Sequence, residues 1–161
     1  MNNIIKLILL AILISHTSCN NKKVIITERD LDSDMFCLKG EMEPYTGTCY
    51  ILFRDSETVK HKFTYVNGRL KGKAVSYYNN GNIKCQGNYS NNNMVDKWEF
   101  RNEQGNKIYV VNFRNDSMNG EFISYYLNGN IKEKGSYLNN SKNGDWIYYD
   151  QNGQMLRKES Y

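Results

Sequence analysis

Beyond about residue 47, apolar and polar residues alternate with a period of two, and glycine- or asparagine-rich turns interrupt the alternation at regular intervals. Such alternation predicts half-buried β-strands, and the short turns join them into hairpins rather than helices. Asn79-Asn80-Gly81-Asn82, Leu127-Asn128-Gly129-Asn130 and Asp150-Gln151-Asn152-Gly153 provide the residues that tolerate the positive backbone angles of tight hairpin turns, as does Gln104-Gly105. A second set of turns falls at 91–93, 115–119 and 139–143, which are rich in asparagine. The expected result is a continuous antiparallel meander of about ten strands.

The turns recur on a 24-residue beat, with Gly81, Gly105, Gly129 and Gly153 in step with Tyr89, Phe113, Tyr137 and Tyr161. A fixed period of this length marks a repeat architecture, in which each unit hides its apolar face only against its neighbours. Gly72, Asp96, Gly120 and Gly144 open four units, and Ala74, Trp98, Phe122 and Trp146 follow two residues later. An earlier unit fits at an offset of 25, with Gly47-Thr48-Cys49 matching Gly72-Lys73-Ala74, and one extra residue in the turn at 54–58 accounts for the slip.

The alternation also assigns faces. Cys49, Ile51, Phe53, Phe63, Tyr65, Ala74, Trp98, Phe122, Tyr137 and Trp146 share the aromatic-rich side, which is expected to be buried. The opposite side carries Lys62, Lys84, Gln86 and Lys134 together with Tyr77, Tyr125 and Tyr149, so it is wet but not wholly polar. In the third unit Lys97, Glu99 and Arg101 replace this stripe, and Ile108 and Val110 fall out of phase, which predicts a bulge or register shift there.

The first 18 residues are a different object. Residues 4–14 form an apolar run broken only by Lys6, too short to span a membrane and suited to a signal-peptide core. The run ends in His16-Thr17-Ser18-Cys19, which resembles a bacterial lipobox, so Cys19 is expected to become the lipid-modified first residue of the mature protein. His16 departs from the usual leucine of that motif. Asn20 after the cysteine leans towards the outer membrane if the cell is Gram-negative. Residues 1–18 are thus read as a lipoprotein signal peptide, 19–34 as a tether and 35–161 as the repeat domain, anchored to the cell envelope and in contact with the membrane through its lipid.

Removing the signal leaves 143 residues, enough for one domain. The remaining 20 basic and 17 acidic side chains are spread over many turns, which predicts no nucleic-acid partner, because such binding needs a clustered basic stripe.

Candidate chemistry is sparse. His61 is the one histidine after the signal, so no multi-histidine metal site is expected. His61, Cys85, Tyr109, Glu133 and Arg157 occupy one position in successive units, roughly 10 Å apart at the usual strand spacing, too far for proton transfer between neighbours. The glycines are explained by turns rather than by a phosphate loop. No catalytic residue, metal or cofactor is expected. Residues 35–38 and 48–53 read as strands flanking a turn at 39–47, so Cys37 and Cys49, symmetric about residue 43, are expected to face each other and form a disulfide, with Cys85 reduced.

Gly144, Trp146, Tyr149 and Gly153, together with the opening segment Glu43-Pro44-Tyr45-Thr46-Gly47, resemble the bacterial MORN-repeat variant proteins, often grouped as YwqK-type antitoxin proteins. The resemblance implies an all-β, MORN-like array of stacked hairpins, frequently on envelope lipoproteins, with a role in binding partners and no active site to transfer. The leading expectation is a non-enzymatic envelope scaffold that binds an unknown protein partner through Tyr77, Tyr125 and Tyr149. A carbohydrate or lipid-headgroup binder is the alternative, since aromatic rings stack on sugars, and a narrow enzyme is third.

Overall fold

In the computed structural model, which describes residues 24–28 and 35–161, every strand belongs to one sheet. The strands are β1 (Val24–Ile25), β2 (Gly47–Leu52), β3 (Val59–Val66), β4 (Arg69–Leu70), β5 (Gly72–Tyr77), β6 (Ile83–Ser90), β7 (Asn93–Arg101), β8 (Lys107–Arg114), β9 (Ser117–Tyr125), β10 (Ile131–Leu138), β11 (Ser141–Tyr149) and β12 (Met155–Ser160). They lie side by side in chain order, except that β4 pairs with β3 off the main path. The expected meander is therefore observed, with twelve strands.

Two kinds of turn alternate along it. At Asn91-Asn92, Asn115-Asp116 and Asn139-Asn140 both central residues have φ between 49° and 69°, the conformation that matches the twist of a two-residue hairpin. At the other end of the later units only the glycine is left-handed, a role that Asp55 with φ 54° takes in the first. Gly81 has φ 85°, and its N–H donates to the Tyr78 carbonyl at 3.0 Å. The Tyr78 N–H closes that loop on the Asn82 carbonyl, whereas in the first unit the Phe53 N–H closes on Thr58, one residue further away. The extra residue expected at 54–58 is thus in place.

A register shift near the end of each hairpin inserts one residue on the second strand. The inserted residues are Lys60, Lys84, Ile108, Lys132 and Leu156. The shift expected for the third unit exists but is not special to it; it is a repeated bulge that bends each hairpin in the same place. A second irregularity sits where Asp96, Gly120 and Gly144 take φ of 58°, 108° and 68°. This left-handed kink explains why the units open on glycine or aspartate.

The buried face is the aromatic one. Cys49, Ile51, Phe63, Tyr65, Ala74, Trp98 and Val111 form the core with Ile26 and Phe36. Trp98 and Trp146 reach only 4% and 0% exposure because each indole lies on a glycine of the preceding strand. A Cβ on Gly87 would come within 2.2 Å of the Trp98 ring, and one on Gly135 within 2.4 Å of Trp146. The indole N–H groups donate to the Asn88 and Ser136 carbonyls, so both rings are buried without losing a hydrogen bond.

Three expectations about the first third need correction. Part of the segment read as a tether joins the sheet: β1 pairs parallel with β2, and Ile26 is buried in the core. Residues 35–38 are not a strand facing β2; Cys37 forms an isolated bridge with Pro44, and the Phe36 N–H donates to the Gly68 carbonyl. Cys37 and Cys49 therefore do not oppose each other. Cys37 keeps a free thiol directed at the Met42 carbonyl, while Cys49 is fully buried between Phe63 and Val24. The hairpin register assumed from symmetry is replaced by a loop that folds Phe36 onto Tyr45 and Tyr65.

Candidate interaction surface

Register lines up one residue per strand into rows that cross the sheet. On the buried face one row runs through His61, Ser76, Cys85, Phe100, Tyr109 and Ser124 to Glu133. The row continues through Tyr148 to Arg157, so the expected column of His61, Cys85, Tyr109, Glu133 and Arg157 is real, with another strand's residue between each pair of members. Sequence reasoning missed those intervening partners: His61 Nδ1 lies 2.8 Å from Ser76 Oγ, and Ser124 Oγ donates to Glu133 at 3.2 Å. His61 also stacks on Phe63. Burial, reinforced by the positive charge of Lys60, pushes the imidazole below its usual value and favours its neutral form, with Glu28 acting in the opposite sense. Cross-strand pairing of 61 with 76 is a long-range fact that no local motif announces.

The outward face carries the expected tyrosines. Tyr77, Tyr125 and Tyr149 each end a strand and pair with Ile83, Ile131 and Met155. They are half-buried rather than fully exposed. The Lys134 ammonium sits 5.6 Å above the Tyr149 ring, and Lys62 covers Tyr50 in the same way at 5.9 Å. Arg101 takes the tyrosine position in the third unit and is held by Glu99, which it approaches at 2.6 Å. Burial opposes the charge on Glu99, but the Arg101 hydrogen bond and charge, helped by Lys107, outweigh it and hold the carboxyl below its ordinary range.

Between the rows the outward face is grooved. A shallow hollow of about 290 Å³ is lined by Lys73, Gln86, Gly87, Asn88, Lys97 and Glu99, and a neighbouring one of about 530 Å³ shares Lys97 and adds Asn112 and Asn119. Alternation put Gln86, Lys97 and Glu99 on the wet face, but strand pairing is what gathers them with Lys73 and Asn88. Among the described residues no group of histidine, cysteine and carboxylate side chains is placed to hold a metal. Cys19, the expected lipidation site, lies outside the described residues.

Three segments, residues 70–91, 118–139 and 142–161, match the family model of the MORN repeat variant. All three begin at one position of the 24-residue cycle, occupied by Leu70, Met118 and Lys142. No curated protein matches the chain.

Proposed function

We propose that this chain, three of whose segments match the MORN repeat variant, is a non-enzymatic scaffold that is tethered to the cell envelope through a lipid on Cys19 and docks another protein on the outward face of its sheet. The observation that carries the reading is the regular order of that face. From β8 to β12 one row runs Val110, Ile123, Lys134, Ile147 and Lys158, one residue per strand, with the tyrosine column beside it. A column of tyrosine rings beside an aliphatic row supplies the anchors from which protein contacts draw most of their energy. The resemblance to YwqK-type proteins extends the proposal to a toxin as the protein bound.

The tethering half of the reading rests on the lipobox-like segment ahead of Cys19. Among the described residues no helix is long and apolar enough to cross a membrane. Crosslinking of the tethered protein in its own envelope, followed by mass spectrometry, tests both halves. Replacing Tyr77, Tyr125 and Tyr149 by serine should preserve cooperative unfolding and lower partner capture by roughly tenfold, about 1.4 kcal/mol. Unchanged capture by that variant rejects this face as the contact surface. Saturable retention on glycans instead of a protein adduct favours the carbohydrate alternative. Cys19→Ser should move the protein out of the detergent-extracted membrane fraction, and an unmodified Cys19 thiol in the mature protein rejects the lipid anchor.

A further inference from the structure

We propose that the groove across β5, β6 and β7 binds a segment of the partner protein in the polyproline II conformation that carries two carboxylates three residues apart, seated on Lys73 and Lys97, and a cation three residues further on, facing Glu121. The proposal deepens the docking reading above and rests on it.

Lys73 and Lys97 are both exposed and line one hollow with Gln86 and Asn88. Among the described residues neither ammonium belongs to an ion pair. Several other cations on this face are engaged: Arg101 and Lys107 pair with Glu99 and Lys158 with Asp145, while Lys62 and Lys134 lie over the Tyr50 and Tyr149 rings. The one carboxylate in the hollow, Glu99, is therefore already neutralised, which leaves a net positive groove with two uncommitted charges.

Spacing selects the ligand. Lys73 and Lys97 hold the same place in successive units, on strands separated by β6, so their attachment points are roughly 10 Å apart. A segment in the polyproline II conformation rises about 3.1 Å per residue with three residues per turn, so every third side chain returns to the same side and meets the next unit. Gln86, Asn88 and Asn112 sit along that path and present amide donors and acceptors to the segment's backbone.

The next unit reverses the sign. Glu121 takes the position of Lys73 and Lys97 and is exposed, without an ion-pair partner among the described residues. A uniformly anionic membrane surface is repelled there, whereas a polypeptide can place a lysine opposite it. The side chains lining the hollow include no aromatic ring, which disfavours a sugar, for which stacking platforms are the usual recognition element.

The test uses the full chain in mild detergent and a fluorescein-labelled peptide of the pattern Glu-x-x-Glu-x-x-Lys, with proline at x to hold the polyproline II conformation. Anisotropy should show saturable, salt-sensitive binding, and the isomer with the middle Glu and the Lys exchanged should bind more weakly. Combining Lys73→Glu with Lys97→Glu should weaken binding at least about tenfold while the β-sheet circular-dichroism spectrum is retained. Glu121→Lys should switch preference to Glu-x-x-Glu-x-x-Glu. Equal affinity for the two isomers overturns the proposal, as does indifference to the lysine substitutions. Displacement of the peptide by phosphatidylglycerol vesicles that themselves depend on Lys73 and Lys97 overturns it in favour of a lipid ligand. If the peptide fails while the triple tyrosine variant still loses its crosslinked partner, this groove is wrong and the docking face stands; if the peptide binds as described and that variant keeps its partner, the reverse holds.

Discussion

A glycine under a tryptophan decides whether each unit closes. Gly135 is in a strand, not a turn, and its missing Cβ is the space that the Trp146 indole occupies. Gly135→Ala should displace the ring and destabilise the domain by about 1–3 kcal/mol, the usual cost of overpacking. Gly129→Ala instead adds a methyl to open space at φ 89°, so it should cost about 1–2 kcal/mol of backbone strain. Tryptophan emission separates the two: a red shift is expected for the native state of Gly135→Ala and none for Gly129→Ala. His61 adds a pH dependence. Its folded-state value is lowered by burial, so the unfolded chain binds the proton more readily and stability falls as pH drops below the ordinary histidine value of about 6.5. Glu28, Glu99, Asp145 and Glu159 are also held below their ordinary values, so their contribution is lost only at more acid pH. Denaturant midpoints between pH 7.5 and 5.5 should therefore decline in the parent and much less in His61→Gln.

At the scale of the element, hairpins are fastened to one another by side chains in their turns. The Asn92, Asp116 and Asn140 Oδ1 atoms each accept from the backbone N–H of the residue 22 positions earlier, Leu70, Met94 and Met118, all at 2.7 Å. The backbone N–H of each turn residue donates back to the carbonyl of that same earlier residue. At the opposite rim Asn80 and Asn82 both donate to the Glu103 carbonyl, and Asn128 and Asn130 to Gln151. These rungs require a short side chain with an acceptor oxygen at a position of positive φ, which asparagine and aspartate tolerate. Asp116→Asn should thus be nearly neutral, whereas Asp116→Ala should cost about 1–2 kcal/mol through the lost hydrogen bond and the strained backbone. Urea midpoints of the two variants check this.

At the scale of the molecule, each strand pairs only with its neighbours in the sheet, so stability is close to a sum over adjacent hairpins. The outermost strand, β12, is exposed at every residue except Glu159, whereas β7 and β8 hold Trp98, Val110 and Val111. Hydrogen exchange should show β12 amides opening first and those of β7 and β8 last; uniform protection across the sheet contradicts the nearest-neighbour picture. The edge is also guarded by charge, with Arg157 on Glu159 at 2.8 Å and Lys158 on Asp145 at 2.6 Å, which discourages pairing with a foreign strand.

Much of this protein was legible in its residues alone. Strand and turn identity, the 24-residue period and the buried side of the sheet follow from local alternation and turn chemistry, and Trp98, Phe63 and Cys49 lie where that alternation puts them. The tyrosine column was legible for the same reason, since a period of two assigns a face without knowledge of the partner strand. Register between distant segments was not. Only the folded chain places Cys37 against Pro44, brings β1 parallel to β2 and sets Ser76 beside His61. The groove of Lys73, Asn88 and Lys97 belongs to the same class. Its members come from three strands, and pairing energy depends on which surfaces meet rather than on any one segment's pattern.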